Sequence, residues 1–210
     1  LITGGDLDYT FGQVFNGNIV YGATGNINNV GIPNGDARQE TNVVDFPAAQ
    51  ADLAAKSALW GAQDPNGMTR LRYGTLFLRG GNSTLNIFTV TAAQLASVHT
   101  IQINVPTGST VLINVPDATA EIQNLGQSLR GTTSSKILWN FPNATNLNIH
   151  GVGLQGSILA PNAHLDFNNG QITGTVIANS MQGNGQFNLS ESAIVIDIPN
   201  RVIKLDLSDA

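Results

Sequence analysis

Short apolar groups alternate with Asn, Gly and Gln along most of the chain, and the pattern repeats most clearly in GSILAPNAHLDFNNGQITGTVIANSMQGNGQFN, residues 156–188. Within this segment the phrases GSILA and GTVIA begin at Gly156 and Gly174, and we call the spacing between these two positions the coil interval. Similar phrases are ILWNFPNA at 137–144 and LINVPDA at 112–118. Repetition at this spacing indicates the stacked coils of a β-helix, each with three short strands and three corners. Each strand is expected to turn two or three apolar side chains inward.

Strand-like segments continue on both sides of these phrases. Residues 1–32 place apolar pairs between Gly and Asn, which tolerate positive φ at tight turns, and 32–42 is typical of a polar loop. Coil repeats are predicted over about 98–190, where HTIQINV and STVLINV have apolar residues at every second position. The segment 191–208 predicts two terminal strands around the Pro199–Asn200 dipeptide, covering an open end of the coils.

One segment, DFPAAQADLAAKSALWGAQ, has helical periodicity and predicts a long α-helix over about 45–61. Asp45 is a suitable N-cap, and Gly61 can end the helix. A second, short helix is expected in TAAQLAS, 91–97. The apolar stripe of the long helix requires a surface to cover, for which a sheet face is the expected partner. The stripe consists of Phe46, Ala49, Leu53 and Trp60.

These patterns together predict a mainly β fold. The expected architecture is a β-solenoid, three-sided and β-helix-like, with one long α-helix packed alongside. A chain of 210 residues suits one domain, so a single domain is predicted over 1–210.

Asn is abundant throughout, and its main role is expected to be structural. Asn suits corners, and side-chain amides in successive coils can hydrogen-bond along the coil axis. Such bonds satisfy backbone groups that would otherwise be buried without partners. A ligand site made of these amides is the alternative.

Composition narrows the class of function. Charged residues make up 11% of the chain and hydrophobic residues 41%, so amides, hydroxyls and Gly must form much of the surface, which favours an extracellular protein. The absence of Cys excludes disulfides, thiolate catalysis and Cys-ligated zinc. With a net charge of −5 and nine scattered basic residues, no nucleic-acid partner is expected. No apolar run is long enough to predict a membrane span.

Several phrases resemble a known family. KILWNFPNATNL and the segment 156–188 resemble the closing signature of the choice-of-anchor A domain of bacterial surface proteins, some of which are collagen-adhesin-like. STVLINV and VVDFPAAQADL are also similar, and the likeness covers about 40–190. The resemblance implies an exported domain attached to the cell surface or cell wall, and it implies no catalytic residues.

Candidate reactive groups are few. His164 and Asp166 are two apart on an expected strand and so face one side, and His150 lies about one coil earlier, which makes these three the candidate metal ligands. Neither a metal nor a cofactor is predicted, because an isolated His near a polar corner usually has no such role. Asp117, Glu121 and Arg130 could serve polysaccharide cleavage, but a solvated loop explains them better, so no enzyme is predicted.

The leading hypothesis is a non-catalytic surface adhesion or display module that binds a matrix protein or glycan. Ice binding, a polysaccharide-active enzyme and a purely structural stalk are the alternatives. Ice binding requires a flat Thr array, and the sequence offers one clean pair, Thr173 and Thr175. The candidate contact residues, which could equally be core, are Tyr9, Phe11, Phe15, Tyr21 and Trp139.

Overall fold

The computed structural model describes residues 1–190, 193–198 and 201–204. It divides into two compact units, one formed by Leu1–Ala51 and the other beginning at Asp52. Most regular structure in both units is β-strand, so the mainly β prediction is confirmed. The single domain predicted over 1–210 stays a prediction.

The first unit contains five strands. They are β1 (Ile2–Thr3), β2 (Leu7–Gln13), β3 (Ile19–Tyr21), β4 (Gly25–Gly31) and β5 (Ala37–Gln39). β3 pairs with β1 and β5, β2 pairs with β4, and all of these pairs are parallel. Partners are separated by the coil interval, as Ile2 and Val20 or Leu7 and Gly25 illustrate. Strand partners in this unit therefore have the same separation in sequence as the later phrases.

β5 corrects the sequence-based interpretation of 32–42 as a loop. The strand forms because Ala37 pairs in register with Ile19, one coil interval earlier. Its central residue, Arg38, donates hydrogen bonds to Glu40 and Asp36 at 2.9 and 2.8 Å. These acidic partners, Glu40 first, raise the pKa of Arg38.

The long helix, α1, runs from Phe46 to Gly61. The Asp45 carboxylate accepts a hydrogen bond from the Ala48 N–H at 3.0 Å, so Asp45 caps the helix as its sequence position indicated.

The second unit contains the remaining strands and the short helix α2 (Ala92–Ala96). A 3₁₀ turn occupies Ser134–Lys136. The strands are β6 (Met68–Arg72), β7 (Thr75–Arg79), β8 (Leu85–Thr89), β9 (Thr100–Asn104), β10 (Thr110–Asn114), β11 (Thr119–Gln123), β12 (Gly126–Arg130), β13 (Ile137–Asn140), β14 (Asn146–His150), β15 (Gly153–Gln155), β16 (Ser157–Asn168), β17 (Gln171–Thr173), β18 (Val176–Gly183), β19 (Gln186–Asn188), β20 (Val195–Ile198) and β21 (Arg201–Lys204).

Three sheets of the second unit are built by parallel pairing of distant segments. The largest has the order β11-β14-β16-β13-β10-β8, with β18 also paired to β16. β16 joins two parts of this sheet, because its first half pairs with β13 and its second half with β14. A second sheet has the order β12-β9-β7-β6, in which β6 and β7 form an antiparallel hairpin, and a third has the order β15-β17-β19.

The near-duplicate phrases lie side by side. Ile158 pairs with Val176 and also with Trp139, and Leu112 pairs with Leu138. The stacking predicted from sequence is therefore confirmed for these strands. The spacing varies, however: Ile158 and Val176 are separated by the coil interval, whereas Leu138 follows Leu112 at a longer distance in sequence.

The terminal strands β20 and β21 form an antiparallel pair. Of the segment predicted as two strands, residues 191–192, 199–200 and 205–208 lie outside the described residues, so the predicted bend at Pro199–Asn200 does too.

The part of α1 that belongs to the second unit, from Asp52 onward, lies on the outer surface of the largest sheet. Trp60 is fully buried against Leu112, Leu138 and Leu159, and the partly buried Leu53 packs on the same cluster. A sheet face was the partner expected for this stripe. The opposite surface of the sheet faces the main core, whose largest side chains are Phe88, Trp139, Phe141 and Phe167.

Two buried amides connect this helix to the sheet. Asn140 donates to the Asn114 side-chain oxygen and to the Ser57 carbonyl, both at 2.9 Å, and Asn114 donates to the Trp60 carbonyl at 2.8 Å. Asn114 and Asn140 are register partners at the ends of β10 and β13. Amide bonding along the stacking direction thus occurs here, inside the molecule rather than at an exposed corner.

Candidate functional site

Alternation along β14 and β16 separates a core side from an outward side. Leu147 and Leu165 are buried in the core, whereas Asn146 and Asn148 are exposed and His164 is partly exposed. Side chains alternate because successive residues of a strand point to opposite faces. The sequence therefore places polar groups outward on each strand.

The pairing register between neighbouring strands aligns these outward residues in rows. One row runs Thr119, Asn146, His164, Ser180, and the next runs Glu121, Asn148, Asp166, Gln182. Neighbouring strands are about 4.8 Å apart and alternate residues about 6.7 Å apart, so the groups form a regular grid. We call this surface the polar face, and it comprises Thr119, Glu121, Asn146, Asn148, His150, His164, Asp166, Asn168, Ser180 and Gln182.

Hydrogen bonds across strands hold part of the polar face in place. His164 Nδ1 lies 2.7 Å from Ser180 Oγ, and Gln182 donates to an Asp166 carboxylate oxygen at 3.1 Å. Asn168 donates to the other Asp166 oxygen. These bonds restrict the side chains that form them, and such restriction lowers the entropic cost of binding.

Helix α2 borders the polar face. Its capping box is complete, since the Thr91 side chain accepts from the Gln94 N–H and the Gln94 side chain accepts from the Thr91 N–H. Asp117 accepts a further hydrogen bond from the Ala92 N–H at 2.9 Å. The helix presents only alanines to a groove of about 570 Å³, which the polar face lines on the other side.

The three charged residues considered for polysaccharide cleavage do not come together, and two of them lie on strands rather than in the solvated loop that the sequence favoured. Asp117 binds the start of α2, Glu121 points outward on β11, and Arg130 ends β12 in a different sheet. Proximity in sequence failed as a guide here because the chain changes sheet between β11 and β12.

The three candidate metal ligands share the polar face but do not converge. His150 pairs with Asn168, which lies at the end of β16, beyond His164 and Asp166. The Nε2 atom of His150 lies 3.3 Å from Glu121 Oε1. Across the described part of the chain, no group of three His, Asp or Glu residues could hold a metal ion.

The aromatic candidates have different surroundings. Phe11 and Phe15 are exposed, at 76% and 64%, and Tyr9 and Tyr21 are half-buried. Trp139 is fully buried, and its indole N–H donates to the Gln155 carbonyl at 3.1 Å. Trp139 is therefore a core residue, the other role that its sequence pattern allowed, and is not available to an external ligand.

The Thr pair considered for ice binding does not lie on one strand. Thr173 ends β17 in the third sheet, whereas Thr175 lies just before β18 of the largest sheet. Gly174 forms a corner between them. The sequence motif thus marks a bend rather than part of an array.

Sequence reasoning missed the polar face as a whole, although its signal was available. NLNIH and HLDFN show the same alternation and are separated by the coil interval, and β14 and β16 pair at that offset. Applying the repeat spacing to the polar positions, as well as to the apolar ones, would have brought the two rows together.

Comparisons with known proteins point to one family. A family model described as "Putative Ice-binding-like adhesive domain" matches residues 1–189. No curated protein matches the chain. No helix in the described residues has the length and apolar character needed to cross a membrane.

Two solved structures show low overall similarity. One is an ice-binding protein from an Antarctic biological consortium, with a TM-score of 0.36 and 14% identity over 90% of this chain and 84% of that chain. The other is an ice-binding protein from the Antarctic ascomycete Antarctomyces psychrotrophicus, with a TM-score of 0.31 and 16% identity over 89% of this chain and 91% of that chain.

Proposed function

Since the chain belongs to the ice-binding-like adhesive domain family, we propose that it is a non-catalytic adhesion domain that acts outside the cell and holds an external target on its polar face. The ordered grid of outward polar side chains is the observation that carries this proposal.

The architecture proposed for the second unit is a three-sided solenoid. The chain visits the largest sheet twice and another sheet once in each passage from β10 to β12 and from β13 to β15. Stacked coils leave long flat sides open to solvent, which suits contact with extended targets. We also propose that the chain is a choice-of-anchor A domain attached to a bacterial surface or wall. This part of the proposal rests on the phrases between 137 and 189.

A glycan or a matrix protein is the proposed target class. Asn146 and Asn148 each offer an amide donor and acceptor, and Thr119 adds a hydroxyl. Neighbouring groups of this kind can bind the repeated hydroxyls of a sugar polymer or the peptide groups of an extended protein. The alanines of α2 give the groove an apolar wall beside them.

A bulky substitution on the polar face tests this function. Asn148 is exposed at the centre of the grid, and Asn148→Arg places a long cation over both rows without touching the core. Gln186→Arg is the matched control, because Gln186 is exposed on β19 of the third sheet. The wild-type protein and both variants are measured against immobilised collagens, fibronectin and a neutral glycan array.

We expect at least one target to bind the wild-type protein and Gln186→Arg equally and Asn148→Arg about 10-fold more weakly, since about 1.4 kcal/mol of lost contacts gives that factor. Binding to no member of the panel, or equal loss in both variants, contradicts the proposal.

Ice is the second candidate target. The grid supports it, because parallel strands in register repeat the outward groups at constant spacing. Thermal hysteresis at micromolar protein distinguishes the two functions: a freezing-point gap that Asn148→Arg abolishes favours ice, whereas its absence together with bound glycan or matrix protein favours adhesion.

A further inference from the structure

Four of the nine basic residues lie on the outer side of one sheet, formed by β12, β9, β7 and β6. Leu76 and Leu78 of β7 are buried, so Phe77 and Arg79 point to the other side. The paired residues of the neighbouring strands point the same way. The four basic residues are Arg70, Arg72, Arg79 and Arg130, which we call the arginine face.

Register brings these arginines together from distant positions in the sequence. Arg79 and Arg130 both pair with Asn104, so they flank it on the two sides of β9, about 10 Å apart. Arg70 pairs with Phe77 and so lies diagonally across from Arg79. Four of the nine basic residues, although scattered in the sequence, therefore lie close together on the folded surface.

The arginine face has no acidic partner. Strands β6, β7, β9 and β12 contain no Asp or Glu. All four arginines are exposed, and within the described residues none of them forms an ion pair. Like charges on neighbouring strands repel one another, and a bound polyanion supplies counter-charges.

An exposed aromatic ring extends this surface. Tyr73, at the tip of the β6–β7 hairpin, is 90% exposed and has φ of 49°. Left-handed backbone is rare for a bulky residue, so Tyr73 carries a conformational cost that an Asn or Gly would avoid. The Arg72 guanidinium lies 4.8 Å from its ring centroid. A cation beside a solvent-facing ring is an arrangement that suits a charged sugar.

We propose that the arginine face binds an acidic polysaccharide. Arginine holds a carboxylate or sulfate with two parallel hydrogen bonds, and the ring of Tyr73 can pack on the apolar side of a sugar. Between the arginines, Thr100, Gln102 and Asn104 offer hydroxyl and amide groups for uncharged positions. A polymer that alternates anionic groups with hydroxyls matches this mixture better than the dense phosphates of nucleic acid. The site is separate from the polar face.

Edge protection is the competing explanation for some of these residues. β6 and β12 are the edge strands of their sheet, and charged side chains on edges prevent aggregation. That explanation does not apply to Arg79, which lies on the inner strand β7, and it does not require Tyr73. It predicts that loss of the arginines causes self-association and leaves polysaccharide binding unchanged.

The test uses polygalacturonate, with fully methyl-esterified polygalacturonate as the uncharged probe of the same backbone. We expect the wild-type protein to bind the first and not the second, with affinity falling as salt rises. Replacing Arg70, Arg79 and Arg130 together by Gln is expected to weaken binding about 10-fold or more. Replacing the same three by Lys keeps the charge but loses the bidentate geometry, and so should recover only part of the affinity.

A control variant removes the same number of charges elsewhere, by replacing Arg38, Lys56 and Lys136 with Gln. It should bind polygalacturonate within about 2-fold of wild type, while Tyr73→Asn, which suits the left-handed backbone, should lose severalfold. Amide hydrogen exchange verifies the fold of each variant.

Several results overturn the proposal. For the wild-type protein, these results are failure to bind polygalacturonate, equal binding of the esterified polymer, or binding of single-stranded DNA as tight as that of polygalacturonate. For the variants, they are equal loss of binding in the arginine-face Gln variant and the control variant, or self-association of the arginine-face Gln variant without loss of binding. None of these results affects binding at the polar face, which Asn148→Arg tests separately.

Discussion

In the first unit, strand partners such as Leu7 and Gly25 are separated by the coil interval, and the same spacing relates Asn146 to His164 in the second unit. Burial differs sharply between them. Within Leu1–Ala51, Ile19 and Val20 are the buried residues, whereas the second unit buries a continuous apolar core. Equal spacing therefore does not produce equal packing.

Polar side-chain contacts join strands and turns that are one coil interval apart in the first unit. Asp6 accepts from the Thr24 N–H at 2.9 Å, and Asn34 donates to the Asn16 side chain at 3.1 Å. Both pairs span one coil interval and are exposed to solvent. The coil interval thus relates strand partners in both units, while the volume of the inward side chains sets how much free energy burial contributes.

A matched pair of Phe substitutions should show this contrast most strongly. Phe167 is buried in the second unit, where its ring meets Phe187 edge-on, and Phe11 is 76% exposed in the first unit. We expect Phe167→Ala to lower the free energy of opening of the second unit by about 3–5 kcal/mol and Phe11→Ala to change that of the first unit by less than about 0.5 kcal/mol. Amide hydrogen exchange, followed by mass spectrometry within each unit, gives both values. Similar costs at the two positions would contradict the comparison.

Amide side chains provide a second, smaller contrast. Asn140 makes buried hydrogen bonds to Asn114 and Ser57, so Asn140→Ala removes the partner of the Asn114 side-chain oxygen and of the Ser57 hydroxyl and should cost about 2–3 kcal/mol in the second unit. Asn16→Ala removes an exposed acceptor in the first unit and should cost less than about 0.5 kcal/mol. The same exchange experiment measures both. An equal cost would mean that burial does not govern the value of these bonds.

The smallest expected effect is a pH dependence confined to the first unit. Hydrogen bonds from Thr24, backbone first, lower the pKa of the Asp6 carboxyl. A lowered folded-state pKa contributes stability above the unfolded-state value, about 3.9, and this stability is lost as the pH falls through the folded-state pKa. The Thr24 amide resonance should therefore titrate with a midpoint below about 3.9. Asp6→Asn should abolish the transition, and a midpoint at or above that value in the wild-type protein would refute the contact.

Repeated apolar phrases were a good guide to the fold. ILWN, SILA and TVIA carry apolar residues at matching positions, so their parallel register followed from sequence, and the helix over Phe46–Gly61 followed from its cap and stripe. The sequence did not predict that strand partners in the first unit are also separated by the coil interval. Some of its matching residues, such as Ile2 and Val20, are both apolar, but others, such as Leu7 and Gly25, are not, so the apolar letters mark the interval only weakly.

Surface features were harder to predict, because they depend on the order of strands. Arg79 and Arg130 are far apart in sequence, and only the pairing of β7 and β12 with β9 unites them. Trp139 was ambiguous for a local reason, since alternation does not say which side of ILWN faces the core. These properties require the topology, which composition and spacing leave open.

β16 takes part in both halves of the largest sheet, and this ties the recognition surface to the interior. A slip of one residue would turn Leu165 outward and His164 inward, and would also disturb the pairing with β13. The inward positions are therefore constrained, whereas the outward positions carry little of the folding free energy. A lineage built on this scaffold can exchange its contact residues and acquire new targets while the architecture stays unchanged.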